Sequence, residues 1–181
     1  MMRDLARPIL FLDVDGVLNA FEFDPNLATF DDFEDQEVTV EEGSGFRMIL
    51  DLCLSRSMGE RIGALSAEIV WATTWEHNAD SMIAPLCGLP RGMRVLIRPH
   101  STTHLDGGWK FDEVRRSVAE DMRPFVWIDD DIDAFRNGPE SARRWARDLP
   151  VQNLLLAPDP RTGLTHGHLE AIEDFLEQVN D

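Results

Sequence analysis

The chain has 181 residues, 43% hydrophobic and 28% charged, enough for one globular domain with a sizeable core and unlike a disordered or low-complexity chain. Thirty-four acids against 17 bases give a formal charge of −17, a field that repels nucleic-acid phosphates and anionic lipid at long range. It disfavours a stand-alone nucleic-acid coat or a membrane-surface protein and leaves metal ions as partners.

In chain order, Met1 to Pro8 lacks the apolar core of a signal peptide, and the first strong segment is Ile9 to Val14, an apolar run closed by Asp-Gly. Such runs fit strands buried on both faces, as in parallel sheets. They recur at Glu68 to Thr73, Arg94 to Ile97, Pro124 to Ile128 and Asn153 to Ala157. Helical patterns lie between them. Ser55 or Ser57 caps one through Ile62 and Leu65, and Asn78 or Asp80 caps one through Ile83 and Leu86. Others cover Asp112 to Met122, Pro139 to Arg147 and His168 to Val179. The alternation predicts a doubly wound, Rossmann-like α/β domain with a parallel sheet of about five strands, spanning residues 1–181. Glu22 to Glu42 holds nine acids and no base. It reads as an acidic loop leading into a hairpin, Gln36 to Val40 and Phe46 to Leu50, around Gly43-Ser44-Gly45. The small flap, about residues 20–50, leaves no room for a large cap domain. No run approaches the roughly 18 apolar residues of a membrane span. Cys53 and Cys87 are too few for a disulfide framework, read as core residues and point to a reducing cytoplasm.

Ligands of open parallel sheets collect at the carboxyl ends of the strands. There the sequence sets Asp13 and Asp15 after the first strand, Thr73-Thr74 after the second and Asp129-Asp130-Asp131, with Asp133, after the fourth. Lys110, the only Lys among 16 Arg, opens a helix behind Gly107-Gly108. A GC-rich coding bias explains scarce Lys and missing Tyr, but not where the one Lys stands. Crowded carboxylates repel one another unless a cation is present, and an all-oxygen ligand set favours Mg²⁺ over Zn²⁺. With a carboxylate nucleophile and an ammonium beside it, the chemistry read from these groups is phosphoryl transfer.

Asp13-Val14-Asp15-Gly16 resembles the first motif of the haloacid dehalogenase (HAD) superfamily, and Thr73, Lys110 and Asp129-Asp130 are similar to its second, third and fourth motifs in order and context. Val70 to Asn78, Trp127 to Asp131 and Pro158 to Thr165 further resemble the HAD subgroup named for "Swiss Army Knife" RNA-repair proteins. The resemblance implies a Mg²⁺-dependent phosphatase. Asp13 would be the nucleophile and Asp15 the acid and base, its backbone carbonyl helping to hold the metal. Thr73 would bond a phosphoryl oxygen and Lys110 would balance charge. Asp129 would ligate Mg²⁺, with Asp130 as a direct or water-mediated ligand.

Thr74 is the alternative to Thr73, and Thr74, His77 and Arg161 are candidate substrate contacts. Asp131 and Asp133 read as caps of a following helix. The pairs His166/His168 and His100/His104 lack a third soft ligand nearby and read as polar loops, with Thr165 capping the last helix. Trp75 and Trp109 either stack on a base or pack in the core. The expected substrate is the terminal phosphate of a nucleic acid or nucleotide, with a small metabolite, a phosphoprotein or a non-catalytic binding role as rivals. An open site suits a polynucleotide end, and the acidic run opposes one.

Overall fold

The fold is taken from a computed structural model that describes residues 7–41, 47–99, 108–137 and 140–180. Its centre is β1 (Ile9–Leu12), whose four side chains are all fully buried. Alternate side chains of a strand point to opposite faces, so β1 feeds two apolar clusters: Leu10 and Leu12 enter one, Ile9 and Phe11 the other. The sheet thus separates two cores where the composition alone suggested one. This burial on both sides is why the strand is a continuous apolar run.

After β1 come β2 (Phe33–Glu41), β3 (Arg47–Ser55), α1 (Arg56–Gly63) and β4 (Glu68–Trp71). A π-helical turn, Ala79–Ile83, runs into α2 (Ala84–Cys87), followed by β5 (Arg94–Val95), α3 (Trp109–Asp121) and β6 (Phe125–Ile128). The short pair β7 (Arg136–Asn137) and β8 (Glu140–Ser141) leads to α4 (Ala142–Arg147), β9 (Asn153–Leu156) and α5 (His166–Asn180). The main sheet has the order β5-β4-β1-β6-β9 with every pairing parallel. These are the five strands expected from the sequence. Strand order reverses about β1, which places a switch point at its carboxyl end. In register, Leu12 lies between Trp71 and Ile128, so the loops after β1, β4 and β6 leave the sheet side by side.

The acidic run divides differently from expectation. The hairpin begins at Phe33, not Gln36, and nine residues of β2 pair with nine of β3; the Gly43-Ser44-Gly45 turn lies outside the described residues. One face carries Val38, Leu52 and Leu54 into the core. On the other face Glu37 stands directly opposite Asp51, a like-charge pair that weakens the ladder. Asp32 ties the end of the acidic loop to α1, accepting hydrogen bonds from the Ser57 N–H (2.8 Å) and the hydroxyls of Ser55 (2.5 Å) and Ser57 (2.7 Å). Ser55 itself caps α1 through the Met58 N–H at 3.1 Å.

Other expectations shift for local reasons. Asn78 gives no side-chain cap to the π-helical turn, and Asp80 instead accepts from the N–H groups of Gly92 and Met93, tying down the approach to β5. Asp131 and Asp133 do not cap the following helix: the chain first turns into β7 and β8, Ser141 caps α4, and Asp133 instead pairs with Arg143 of α4. Cys87 is buried, its thiol pushed up to about 12 by burial, whereas Cys53 is only half-buried. Trp109 packs in the core beside the sheet. Among the described residues no helix is long and apolar enough to cross a membrane.

Thr165 caps α5 with His168 as its reciprocal partner: the His168 N–H donates to Thr165 Oγ1 (3.3 Å) and the Thr165 N–H donates to His168 Nδ1 (3.1 Å). The geometry is a capping box with imidazole in place of a Glu or Gln side chain. Burial holds the His168 pKa below its ordinary 6.5, so the folded state binds fewer protons here than the unfolded chain. This contribution to stability is full above about pH 6.5 and is lost as the pH falls from there through the folded value. Thermal melts should therefore show His168→Gln, which keeps an acceptor, losing less stability than the parent between about pH 7.5 and pH 5.5; an unchanged slope would discount the cap.

Candidate active site

Asp13, the first residue after β1, is held by its own neighbours: its Oδ1 accepts the Val14 N–H at 2.7 Å, and its backbone N–H donates to the Ile128 carbonyl of the adjacent strand at 3.1 Å. Asp129 occupies the matching place after β6, and its Oδ1 accepts the Asp131 N–H at 3.0 Å. Lys110, on the first turn of α3, reaches between them. Its Nζ lies 2.5 Å from Asp13 Oδ2 and 2.7 Å from Asp129 Oδ2, and 5.3 Å from the centre of the Phe135 ring. All three side chains are at most 5% exposed. Burial works against the charged ammonium, but Asp13 and Asp129 together outweigh it and hold the Lys110 pKa above its ordinary value. Burial, then repulsion from Asp13, drives the Asp129 pKa well up against the pull of Lys110.

Asp130 completes a group with Asp13 and Asp129: one carboxylate oxygen of each lies within 4.8 Å of the others. Its pKa is pushed up to about 6 by burial, with Asp131 and Asp13 adding repulsion. Three carboxylates share one ammonium, which leaves two negative charges in excess when all are ionised. That donor set, all oxygen and partly buried, fits a hard divalent cation such as Mg²⁺.

The Asp15 carboxylate points elsewhere. Trp75 Nε1–H donates to its Oδ2 at 2.9 Å, and Asn19 Nδ2–H donates to its Oδ1 at 2.9 Å. Asn19 Oδ1 in turn accepts the Cys53 N–H of β3 at 2.9 Å, so a single amide links Asp15 to the hairpin. Burial raises the Asp15 pKa, against the hydrogen bonds of Asn19 and Trp75 that favour the carboxylate. Asp15, Asn19, Thr74 and Trp75 line a cavity of about 450 Å³ that opens under the hairpin. Trp75 does both structural jobs here, lining the cavity and fixing Asp15 through its indole N–H.

The other candidates lie as follows. Thr73 is fully buried and its Oγ1 accepts the Trp75 N–H at 3.4 Å, while Thr74 is exposed on the cavity wall. His77 is exposed, and neither it nor Arg161 is among the described residues lining the cavity. Arg161 is clamped by Asp159, with Nη2 2.6 Å from one carboxylate oxygen and Nε 3.0 Å from the other. His166 packs against Phe30 with the rings tilted and their centres 4.1 Å apart, and His168 serves the α5 cap; His100 and His104 lie outside the described residues. Asn19 was missed by sequence reasoning. Its only signal was the distance of four residues from Asp15.

Gly16 has φ +71°, and a Cβ there would lie 2.3 Å from Cγ of Asp130. Glycine thus lets the first loop turn against the fourth without displacing a carboxylate. Gly16→Ala should keep the fold but push Asp130 aside. Calorimetric titration with Mg²⁺ is expected to show affinity down by about tenfold or more, with a melting temperature only a few degrees lower. Unchanged affinity would remove Asp130 from the cation site.

Over residues 9–169 the chain matches the family described as the HAD domain in Swiss Army Knife RNA repair proteins. Neither the curated proteins nor the solved structures returned a match.

Proposed function

The chain belongs to the HAD domain family of Swiss Army Knife RNA repair proteins, and from that membership we propose that it is a Mg²⁺-dependent phosphohydrolase acting through an aspartyl-phosphate on Asp13. The observation that carries this reading is the buried Asp13–Lys110–Asp129 arrangement with Asp130 beside it. Its preferred substrate is the terminal phosphate of a nucleotide or nucleic-acid end. The same residues would serve a small-metabolite or phosphoprotein phosphatase, and the intact catalytic set argues against a pure binding module. Two free cysteines suit a cytoplasmic setting.

In the first step an Asp13 carboxylate oxygen attacks phosphorus in line, the bond from phosphorus to the leaving oxygen breaks, and that oxygen takes the proton of Asp15. A raised Asp15 pKa suits a proton donor. In the second step water attacks the same phosphorus and gives its proton to the Asp15 carboxylate. The bond from phosphorus to Asp13 then breaks, releasing inorganic phosphate and restoring both residues. Asn19 and Trp75 hold Asp15 at a fixed angle through both proton transfers. Lys110 orients Asp13 and offsets charge on the phosphoryl oxygens, and Thr73 donates to one of them. Asp13, Asp129 and Asp130 would hold Mg²⁺, with the Asp15 backbone carbonyl. When bound, the ion supplies charge neutralisation for the carboxylates and the phosphate.

Phosphate release from a generic aryl phosphate should require Mg²⁺, stop on chelation and fall by on the order of 10³-fold or more in Asp13→Asn. Lys110→Arg should fail comparably, because a planar fork does not replace a compact ammonium between two carboxylates. Full activity of Asp13→Asn, with its melting temperature preserved, would overturn the mechanism.

A further inference from the structure

The cavity beside Asp15 is not explained by the phosphoryl chemistry. Its hairpin side and the segment after β1 present an apolar wall of Phe21, Val40, Met48 and Leu50, and Trp75 lines the same cavity. Phe21 is 46% exposed and Met48 40%, and they belong to one patch, not to scattered positions of the kind any surface carries. Thr74 and Asn78 add a hydroxyl and an amide to the lining. The described lining also includes Asp15, Asp51 and Glu41, the last paired with Arg47 at 2.6 Å, and no basic residue.

Position decides what such a space can take. If Asp15 protonates the leaving oxygen, whatever is bonded to that oxygen starts at Asp15 and extends into the cavity that Asp15 lines. We propose that this cavity binds the leaving alcohol of the substrate, and that the alcohol is an uncharged, ring-bearing group of nucleoside size with no second phosphate. This rests on the phosphohydrolase reading above and narrows it. The volume of about 450 Å³ lies in the range of pockets that enclose one small ligand. A flat ring gains contact with Trp75, Met48 and Leu50, while sugar hydroxyls and ring heteroatoms find Thr74 and Asn78. A further phosphate would meet the carboxylates of Asp15 and Asp51 with no basic residue in the described lining to offset them, Arg47 being engaged by Glu41. The free mononucleotide, not the polynucleotide end, is therefore the substrate that fits.

The test compares kcat/KM for adenosine 3′- and 5′-monophosphate, adenosine 3′,5′-bisphosphate, a 5′-phosphorylated dinucleotide and glycerol 2-phosphate. The better monophosphate should lead each of the last three by about tenfold or more. Met48→Ser combined with Leu50→Ser should shrink its lead over glycerol 2-phosphate to within about threefold, mainly through a higher KM for the monophosphate. Leu52 and Leu54, each 3% exposed, keep that hairpin anchored. Asp51→Lys should raise the bisphosphate rate several-fold relative to the monophosphate rate. Calorimetry with adenosine alone should show binding to the parent and at least about tenfold weaker binding to the double variant. Equal rates on monophosphate and glycerol 2-phosphate, a faster dinucleotide, or an unaltered double variant would overturn the proposal. If no ester is hydrolysed, the phosphohydrolase reading falls, and adenosine binding decides separately whether the cavity takes a nucleoside.

Discussion

A buried ammonium between two buried carboxylates is the constraint on which the rest of this structure depends. Removing an ion from water costs several kcal/mol, so Lys110 is tolerable in the interior only because Asp13 and Asp129 are both within hydrogen-bonding distance. Those two come from the ends of neighbouring strands, and their separation is fixed by the register that pairs Leu12 with Ile128. A slip of one residue in that pairing would send one of the carboxylates to the other side of the sheet. The charge cluster and the sheet register therefore specify each other. The third carboxylate, Asp130, is admitted by a glycine at position 16 where any side chain would displace it.

The overall acidity separates into parts with different physical roles. Some acids form the charge cluster. Asp32 organises the start of α1, and Asp80 anchors the approach to β5. At the opposite, amino end of the sheet, the nearly buried Arg123 joins Glu68, Asp121 and the Arg7 carbonyl, holding the starts of β4 and β6 to the chain leading into β1. On the hairpin, Glu37 faces Asp51 across the ladder, adding a like-charge pair.

The five parallel strands were legible because each is buried on both faces and must be apolar along its length. The cluster was legible because its residues follow those strands directly, and Lys110 because it is the one Lys. What was not legible depends on tertiary contact. Nothing in local spacing says that Trp75, sixty residues from Asp15, donates to it, or that Asn19 spends its amide oxygen on the hairpin backbone. The hairpin start was misplaced because Glu34, Asp35 and Glu37 mask the alternation of β2, whose apolar face begins only at Val38. Asp131 and Asp133 were expected to cap a helix because they follow a strand in an α/β pattern; the β7–β8 pair intervenes. Arg161 is drawn to Asp159 two residues away, a local pair that spacing alone does not distinguish from a ligand contact.

The central position of β1 also bears on how the protein comes into being. Its two partners lie far along the chain: Ile9 pairs with Glu68 on one side and with Phe125 on the other. Closing such long loops costs chain entropy before any packing is gained, so assembly of the sheet is a late and cooperative event. During synthesis from the amino terminus, Asp13 and Asp15 emerge early, but Asp129 follows only after Lys110 and the whole of α3. A nascent chain lacking β6 exposes β1 as an unpaired apolar edge and has no complete carboxylate cluster. The complete carboxylate cluster is thus acquired in the same step as the closure of the sheet, so any divalent cation it holds would report complete folding.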